Sequence, residues 1–362
     1  MKHSGLASIA RVHEFDVIVD VRSPAEYAED HIPGAINCPV LDDAERAHIG
    51  TLYKQSPFEA KKQGAVLVSR NIARHIEENW LDQPRSWHPL VYCWRGGQRS
   101  GAMTHILRQI GFGAERLEGG YKSYRHHVLE RLQTLPAAYT YRVICGLTGS
   151  GKSRLLLALQ QAGAQVLDLE VIACHRGSVL GDMPDTPQPA QKGFDSQLLA
   201  ALQSLDPARP VYVESESRKI GVLRVPDALL QAMRDSACLH LDTPTQLRVA
   251  LLREDYVHFL REPALLAANL ERLRGMYANE LLQRWRDLGE AGEWNELVAE
   301  LLEQHYDPAY AKSIQRNFPH YQRAPRLALK GLSGQDFRRL AEEALAINMD
   351  FVNNDVSSME SN

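Results

Sequence analysis

Tyr141-Arg142-Val143-Ile144-Cys145-Gly146-Leu147-Thr148-Gly149-Ser150-Gly151-Lys152-Ser153 decides the fold of the larger part of this chain. Its first five residues form an apolar run of strand character, and Arg154-Leu155-Leu156-Leu157-Ala158-Leu159 behind it opens a helix. Between them, Gly146–Ser153 fits G-x-x-x-x-G-K-[ST]. Strand, glycine loop and helix in that order make a phosphate cradle. Backbone N–H groups from Gly146, Gly149, Ser150 and Gly151 face a di- or triphosphate, and Lys152 neutralises the distal phosphates. Ser153 would ligate Mg2+ where the reaction uses it.

Toward the C-terminus, strands are expected near 165–169, 210–214 and 237–241 with helices between them, and helices dominate from about 244. A phosphate loop usually works with an acid at a neighbouring strand end. Glu214 and Glu216 in Val211–Ser217, and Asp168 in Val166–Glu170, are the candidates to hold a metal-bound water or position a substrate. His175 and Arg176 follow Asp168, and Arg218 adjoins the acidic strand end; these three are candidates for a phosphate or an RNA backbone. Taken singly, each fits an ordinary solvated strand end or polar loop equally well.

Toward the N-terminus a second loop appears. Cys93-Trp94-Arg95-Gly96-Gly97-Gln98-Arg99-Ser100 follows the strand-like Leu90-Val91-Tyr92 and leads into a helix expected from about Ser100 to Ile110, closed by Gly111 and Gly113. It reads as C-x5-R. Inward backbone N–H groups and a helix N-terminus favour a bound anion and a thiolate, making Cys93 a nucleophile. Gly96 and Gly97 are expected to take the positive φ angles of such a cradle, and Arg95 and Arg99 to clamp oxyanions. The ordinary alternative is a buried cysteine ending a strand, which is the reading for Cys145. Asp16–Val21 is expected as a buried strand, Ser23-Pro24 as a helix start, and Ser56-Pro57-Phe58-Glu59 as a capping box within helical patterns over 42–82.

Bulk properties set limits. A length of 362 residues suggests two domains, and 44% apolar with 24% charged residues is a globular composition. No apolar run approaches the ~20 residues of a membrane helix. The formal charge of −4 gives no global pull toward nucleic acid. Five scattered cysteines without a C-x-x-C pair fit a reducing cytoplasm rather than a disulfide framework or structural zinc. The expected architecture is α/β: residues 1–135, then a P-loop parallel-sheet domain over 136–310, then a helical extension and frayed tail over 311–362.

Asp20-Val21-Arg22-Ser23-Pro24-Ala25-Glu26-Tyr27 and His31-Ile32-Pro33-Gly34-Ala35-Ile36-Asn37, with Cys93 as the loop cysteine, resemble a rhodanese domain. The loop is one residue longer than in many rhodaneses, as in rhodanese-fold phosphatases, and suits a tetrahedral donor. Further on, Leu167–Glu170, His175–Ser178, Gln188–Phe194 and Glu214–Gly221, together with Ile49–Lys54, resemble bacterial tRNA 2-selenouridine synthases over roughly residues 5–310. The resemblance implies a cytoplasmic transferase that converts wobble 2-thiouridine in tRNA to 2-selenouridine. Geranyl diphosphate would first alkylate the tRNA sulfur, and selenophosphate would then supply selenium carried by Cys93. It implies no tightly bound cofactor, and a monomer is expected. RNA contact would come from Arg272, Arg274, Arg284, Arg286, Arg323, Arg326, Arg338 and Arg339, each of which fits an ordinary solvated helix face at least as well, and Trp94 fits a base stack or a core role equally. Two competing readings stand beside this one. One is a rhodanese-fold phosphatase or sulfurtransferase fused to a P-loop kinase-like domain. The other is a nucleotide-gated binding module in which Cys93 is not catalytic.

Overall fold

The computed structural model describes residues 5–178, 180–183 and 186–347. The tail from Asn348, expected to be frayed, lies outside the described residues. The chain divides into two compact units: residues 1–131 with 189–200, and residues 132–188 with 201–362.

The first unit is built on β1 (Leu6–Ala7), β2 (Val17–Asp20), β3 (Ile36–Asn37), β4 (Pro89–Tyr92) and β5 (Glu115–Leu117). These pair in parallel in the order β1-β5-β4-β2-β3, which places β4 at the centre. The helices are α1 (Pro24–Glu29), α2 (Asp43–Gln55), α3 (Pro57–Asn79), α4 (Gln98–Ile110) and α5 (Gly120–Thr134). At α1 the sequence dictates the start: Ser23 caps, Pro24 supplies the fixed φ of the first turn, and Glu26 closes a capping box. The expected box at Ser56 does not form. Ser56 makes no side-chain cap, and Pro57 alone marks the start of α3. Gly111 ends α4 at φ +111°, where a side chain would be strained. Val19, Val21, Ile72, Trp80, Trp87, Val91, Met103 and Leu107 fill the core between sheet and helices.

Asp20 and Arg22 are fully buried and paired at 2.6 Å. Arg22 also donates to the Asp30 carbonyl at 2.6 Å and lies over the Tyr121 ring at 4.0 Å. This pairing satisfies a charge that would be costly alone in the core.

The second unit carries β6 (Tyr141–Cys145), α6 (Lys152–Gln161), β7 (Gln165–Leu167), α7 (Leu169–Ala173) and β8 (Val211–Glu214). The helix α8 (Gln191–Gln203) joins the units. A short hairpin of β9 (Lys219–Ile220) and β10 (Leu223–Arg224) precedes α9 (Asp227–Arg234) and β11 (Ala237–Asp242). Then come α10 (Thr245–Asp255), α11 (Val257–Arg261), α12 (Pro263–Leu270), α13 (Asn279–Glu290), α14 (Trp294–Leu301), α15 (Asp307–Asn317), β12 (Arg326–Ala328) and α16 (Gly334–Ala346). The sheet order is β12-β11-β6-β8-β7, all parallel, with β6 central. The stretch after 310, expected to be helical, therefore also supplies an edge strand, and α16 packs Phe337, Leu340, Ala341 and Ala344 into the same core as Leu155, Leu159 and Leu239. Helices α11 to α14 enclose a separate apolar core around Trp285. No helix among the described residues is long and apolar enough to cross a membrane.

Each unit thus presents the loop after its central strand at the carboxyl edge of a parallel sheet. That is where open α/β sheets bind ligands.

Candidate active site

The glycine loop leaves β6 and enters α6. Gly149 (φ +73°) and Gly151 (φ +91°) adopt the left-handed region; a Cβ on Gly149 would lie 2.7 Å from Leu252. Lys152 curls back so that its Nζ donates to the Gly146 carbonyl at 2.9 Å, with the Tyr310 ring 5.3 Å away. Tyr310 from α15 accepts the Gly146 N–H at 3.1 Å and bonds Ser215 at 2.6 Å. Buried Arg248 donates to the Thr148 carbonyl at 2.9 Å while held by Asp307, and Thr243 donates to the Ser150 carbonyl at 2.9 Å. The loop is thereby fixed from outside by α10 and α15. It opens on a cavity of about 170 Å³ bordered by Ser153, Arg176 and Glu216.

The acids divide by role. Asp168 caps α7 by accepting the Val171 N–H at 2.9 Å. Glu214 accepts the Leu169 and Glu170 N–H groups at 2.7 and 3.0 Å, and its other oxygen has no partner among the described residues. Burial first, and the neighbouring carboxylates second, push Glu214 well above the carboxylate range. Glu216 lines the phosphate cavity. Burial and the Glu170 charge push it up to about 7 against the opposing pull of Lys152. Glu170 receives the Ser153 hydroxyl at 2.7 Å. Hard oxygen donors at Ser153 and Glu170 suit Mg2+.

His175 is directed elsewhere. It is buried, accepts the Gly177 N–H on Nδ1 at 3.1 Å, and faces Asp182 from Nε2 at 3.3 Å. Burial lowers its pKa, and it orders the loop rather than lining the cavity. Arg176 does line the cavity, over the Tyr256 ring at 5.5 Å. Arg218 is exposed, pairs with Asp227 at 3.2 Å, and is not among the cavity residues.

In the first unit Cys93 directly follows β4, buried, with its Sγ 3.2 Å from the Ser100 hydroxyl on the first turn of α4. The loop is tied down through its carbonyls. Tyr121 N–H donates to Cys93 O at 2.8 Å, Lys122 N–H to Trp94 O at 2.9 Å, and Arg116 to Gly96 O at 3.2 Å. Gly96 has φ +63°, but Gly97 does not take the expected positive φ; at −93° it only begins the helix. Gly120 (φ +61°) packs directly on the loop: a Cβ there would strike the Cys93 carbonyl and the Gly96 nitrogen. Arg99 is not a free clamp. It grips Glu26 through two bonds at 2.6 and 3.2 Å. Against the cost of burial, this holds the Glu26 carboxyl below its ordinary range. Arg95 is exposed at the loop's crest.

Residues 8–127 match the rhodanese-like domain family, and residues 139–288 match the family described as "tRNA 2-selenouridine synthase AAA domain". A tRNA 2-selenouridine synthase from Nitrosomonas europaea is 33% identical over 94% of this chain and 83% of its own length. Those from Bdellovibrio bacteriovorus and Aeromonas salmonicida are each 32% identical, over 83% and 84% of this chain and 89% of their own lengths. The chain belongs to the tRNA 2-selenouridine synthase family.

In this family member, three residues that motif reading passed over stand at the two loops. Ser100 lies beside the thiol, Glu170 takes the Ser153 hydroxyl, and Tyr310 closes the glycine loop. Ser100 directly follows the C-x5-R arginine, and Glu170 lies two residues beyond Asp168; both spacings were available signals. Tyr310 carries none, because it arrives from a distant helix. The basic clusters of this synthase-family chain are largely matched by acids. Arg284 bonds Glu296 and Glu300 at 2.6 Å, Arg286 pairs with Glu271, and Arg272 pairs with Asp182 at 2.6 Å. Such pairs are ordinary solvated helix faces. Arg323, Arg326, Arg338 and Arg339 are exposed. Trp94 stacks on Tyr121 with centroids 5.3 Å apart and stays partly exposed.

Proposed function

We propose that this chain converts wobble 2-thiouridine of tRNA to 2-selenouridine in two steps, geranylation at the glycine loop and selenation at the Cys93 loop. The observation that carries this reading is the pair of anion loops, each at the carboxyl edge of its own parallel sheet. One is built around a thiol and the other around a lysine. The relatives are named for making 2-selenouridine in tRNA.

In the first step the C2 sulfur attacks the carbon that bears the diphosphate in geranyl diphosphate. A C–S bond forms, the C–O bond breaks, and diphosphate leaves with the electron pair. Fixed N–H donors and Lys152 stabilise that leaving charge. The base loses its N3 proton, and Glu216, poised near neutrality beside the loop, is placed to take it. Mg2+, where used, would be held by Ser153 and Glu170 and would neutralise diphosphate charge. In the second step selenophosphate occupies the Cys93 loop, with Arg95 nearest its oxygens. Selenium attacks C2, the C2–S bond breaks, and the geranyl thiolate departs and takes up a proton; water then attacks phosphorus, the P–Se bond breaks, and inorganic phosphate leaves the selenium on C2. Alkylation makes this exchange feasible, because a thioether sulfur leaves far more readily than the sulfur of a thione. Cytoplasmic action on tRNA by a monomer completes the proposal.

The test is a split of the two steps. Given thiolated tRNA, geranyl diphosphate and selenophosphate, Cys93→Ser should accumulate S-geranylated tRNA. Lys152→Ala should leave thiolated tRNA unchanged yet selenate tRNA geranylated beforehand. Mass spectrometry of digested nucleosides reads both. Loss of both steps in folded Lys152→Ala would end the division of labour. ATP displacing geranyl diphosphate would favour the nucleotide alternative.

A further inference from the structure

The phosphate cavity has an apolar neighbour in the same unit. An open-mouthed apolar cavity lies among α10, α11, α12 and α14, walled by Phe259, Leu260, Leu266, Trp294, Leu297 and Leu301. The two cavities share Thr148, Ser178, Leu252 and Tyr256. Thr148 belongs to the glycine loop itself. Leu252 is the side chain that a Cβ on Gly149 would strike. Tyr256 bonds the Ser178 hydroxyl at 3.0 Å and carries Arg176 over its face. The two cavities therefore share a wall, with Lys152 and Arg176 lining one and mostly carbon lining the other.

A ligand whose diphosphate sits in the glycine loop meets this carbon wall next. A nucleotide would bring a ribose and a base that lose hydrogen bonds to water and need replacements. The chamber offers few. Ser178 and Tyr256 bond each other, and the Arg253 guanidinium donates to Asn295 at 2.8 Å, leaving its Nε without a partner among the described residues. An unsubstituted hydrocarbon gains from the same wall. We propose that this chamber takes the tail of an acyclic isoprenoid diphosphate whose head lies in the glycine loop. The inference rests on the reading above that this loop binds geranyl diphosphate, and it assigns the tail to residues that no sequence motif marks.

Titration calorimetry of the full chain with inorganic pyrophosphate, dimethylallyl diphosphate and geranyl diphosphate tests it. Affinity should rise in that order, by about tenfold or more from first to last, as each added carbon leaves water. Val298, on the chamber wall and only half-buried, is the site to fill. Val298→Trp should weaken geranyl diphosphate by roughly tenfold and leave pyrophosphate within about twofold. In the unaltered protein, geranyl diphosphate but not pyrophosphate should shift the Trp294 emission, and Trp294→Phe should remove that shift. The emission result decides the matter if Val298→Trp does not fold. Equal affinities for pyrophosphate and geranyl diphosphate, undiminished geranyl binding in folded Val298→Trp, or an emission indifferent to the tail would each overturn the proposal. Tail-dependent binding that survives Lys152→Ala unchanged would keep the chamber and remove the head from the glycine loop, so the two assignments fail separately.

Discussion

The Cys93 sulfur and the Ser100 hydroxyl face each other at 3.2 Å, joining the residue just after the central strand to the first turn of the helix that follows. A hydroxyl there can donate to a thiolate, and it also lies within donating distance of the Gly97 carbonyl at 3.4 Å. Ser100→Ala should slow alkylation of Cys93 by iodoacetamide at neutral pH by several-fold, on the order of 1 kcal/mol for one hydrogen bond. Ser100→Thr should restore part of the rate. Unchanged alkylation in Ser100→Ala would reduce Ser100 to a packing residue.

Arg99 and Arg95 should separate under substitution. Arg99→Ala leaves Glu26, partly buried, without its bidentate partner, so denaturant unfolding should register a loss of about 1–2 kcal/mol. Arg95→Ala should stay within about 0.5 kcal/mol of the parent protein. It should instead raise the selenophosphate concentration needed for half-maximal selenation. The reverse pattern would return Arg99 to the role of anion clamp.

Glu216 predicts a pH limb in the first step. A base must be ionised to accept a proton, so geranylation of thiolated tRNA should fall as pH drops through about 7. Glu216→Gln should lower the rate and flatten the limb. Stability runs the other way. The folded pKa lies above that of the unfolded chain, so the native state binds the extra proton. The contribution of Glu216 is present below about 4.5 and is lost as pH rises toward 7. Glu216→Gln should therefore unfold at higher denaturant than the parent above pH 7. A limb that persists in Glu216→Gln would assign the proton to another group.

Gly120 gives a test confined to the thiol loop. Gly120→Ala places a methyl group against the Cys93 carbonyl and the Gly96 nitrogen at a positive φ, so the loop must shift. Selenation of geranylated tRNA should drop by at least about tenfold, because such loops tolerate little displacement. Geranylation should continue at the parent rate. Equal losses in both steps would show that the two reactions share a site.

Much of this architecture was legible because it rests on local patterns. The apolar run 141–145, the octamer after it and the Ser23-Pro24-Ala25-Glu26 start each encode strand, cradle and capped helix within a few residues. The rhodanese and synthase-family resemblances carried by those motifs are borne out by the family matches. What escaped depends on partners distant in sequence. Strand β12 is three residues long and exists only because Leu327 pairs with Leu241 in the sheet. The Arg99–Glu26 grip joins residues 73 positions apart. Glu214 reads as a strand-end acid until its two N–H partners on α7 are seen. The expected box at Ser56 failed because the capping hydrogen bonds do not form, although Pro57 still starts the helix.

Residues 189–200 belong to the first unit although they lie in sequence within the second. In that unit Asp195 takes Arg125 at 2.5 Å, and Lys192 reaches Glu29 at 2.7 Å. On a ribosome, everything through residue 131 emerges while this closing segment is still unmade. At roughly 5–20 residues per second the wait is on the order of several seconds. The N-terminal half is therefore exposed unfinished while the glycine loop and the start of its sheet are being synthesised. A gene split near residue 135 would put that closing segment on a different polypeptide from the rest of its unit.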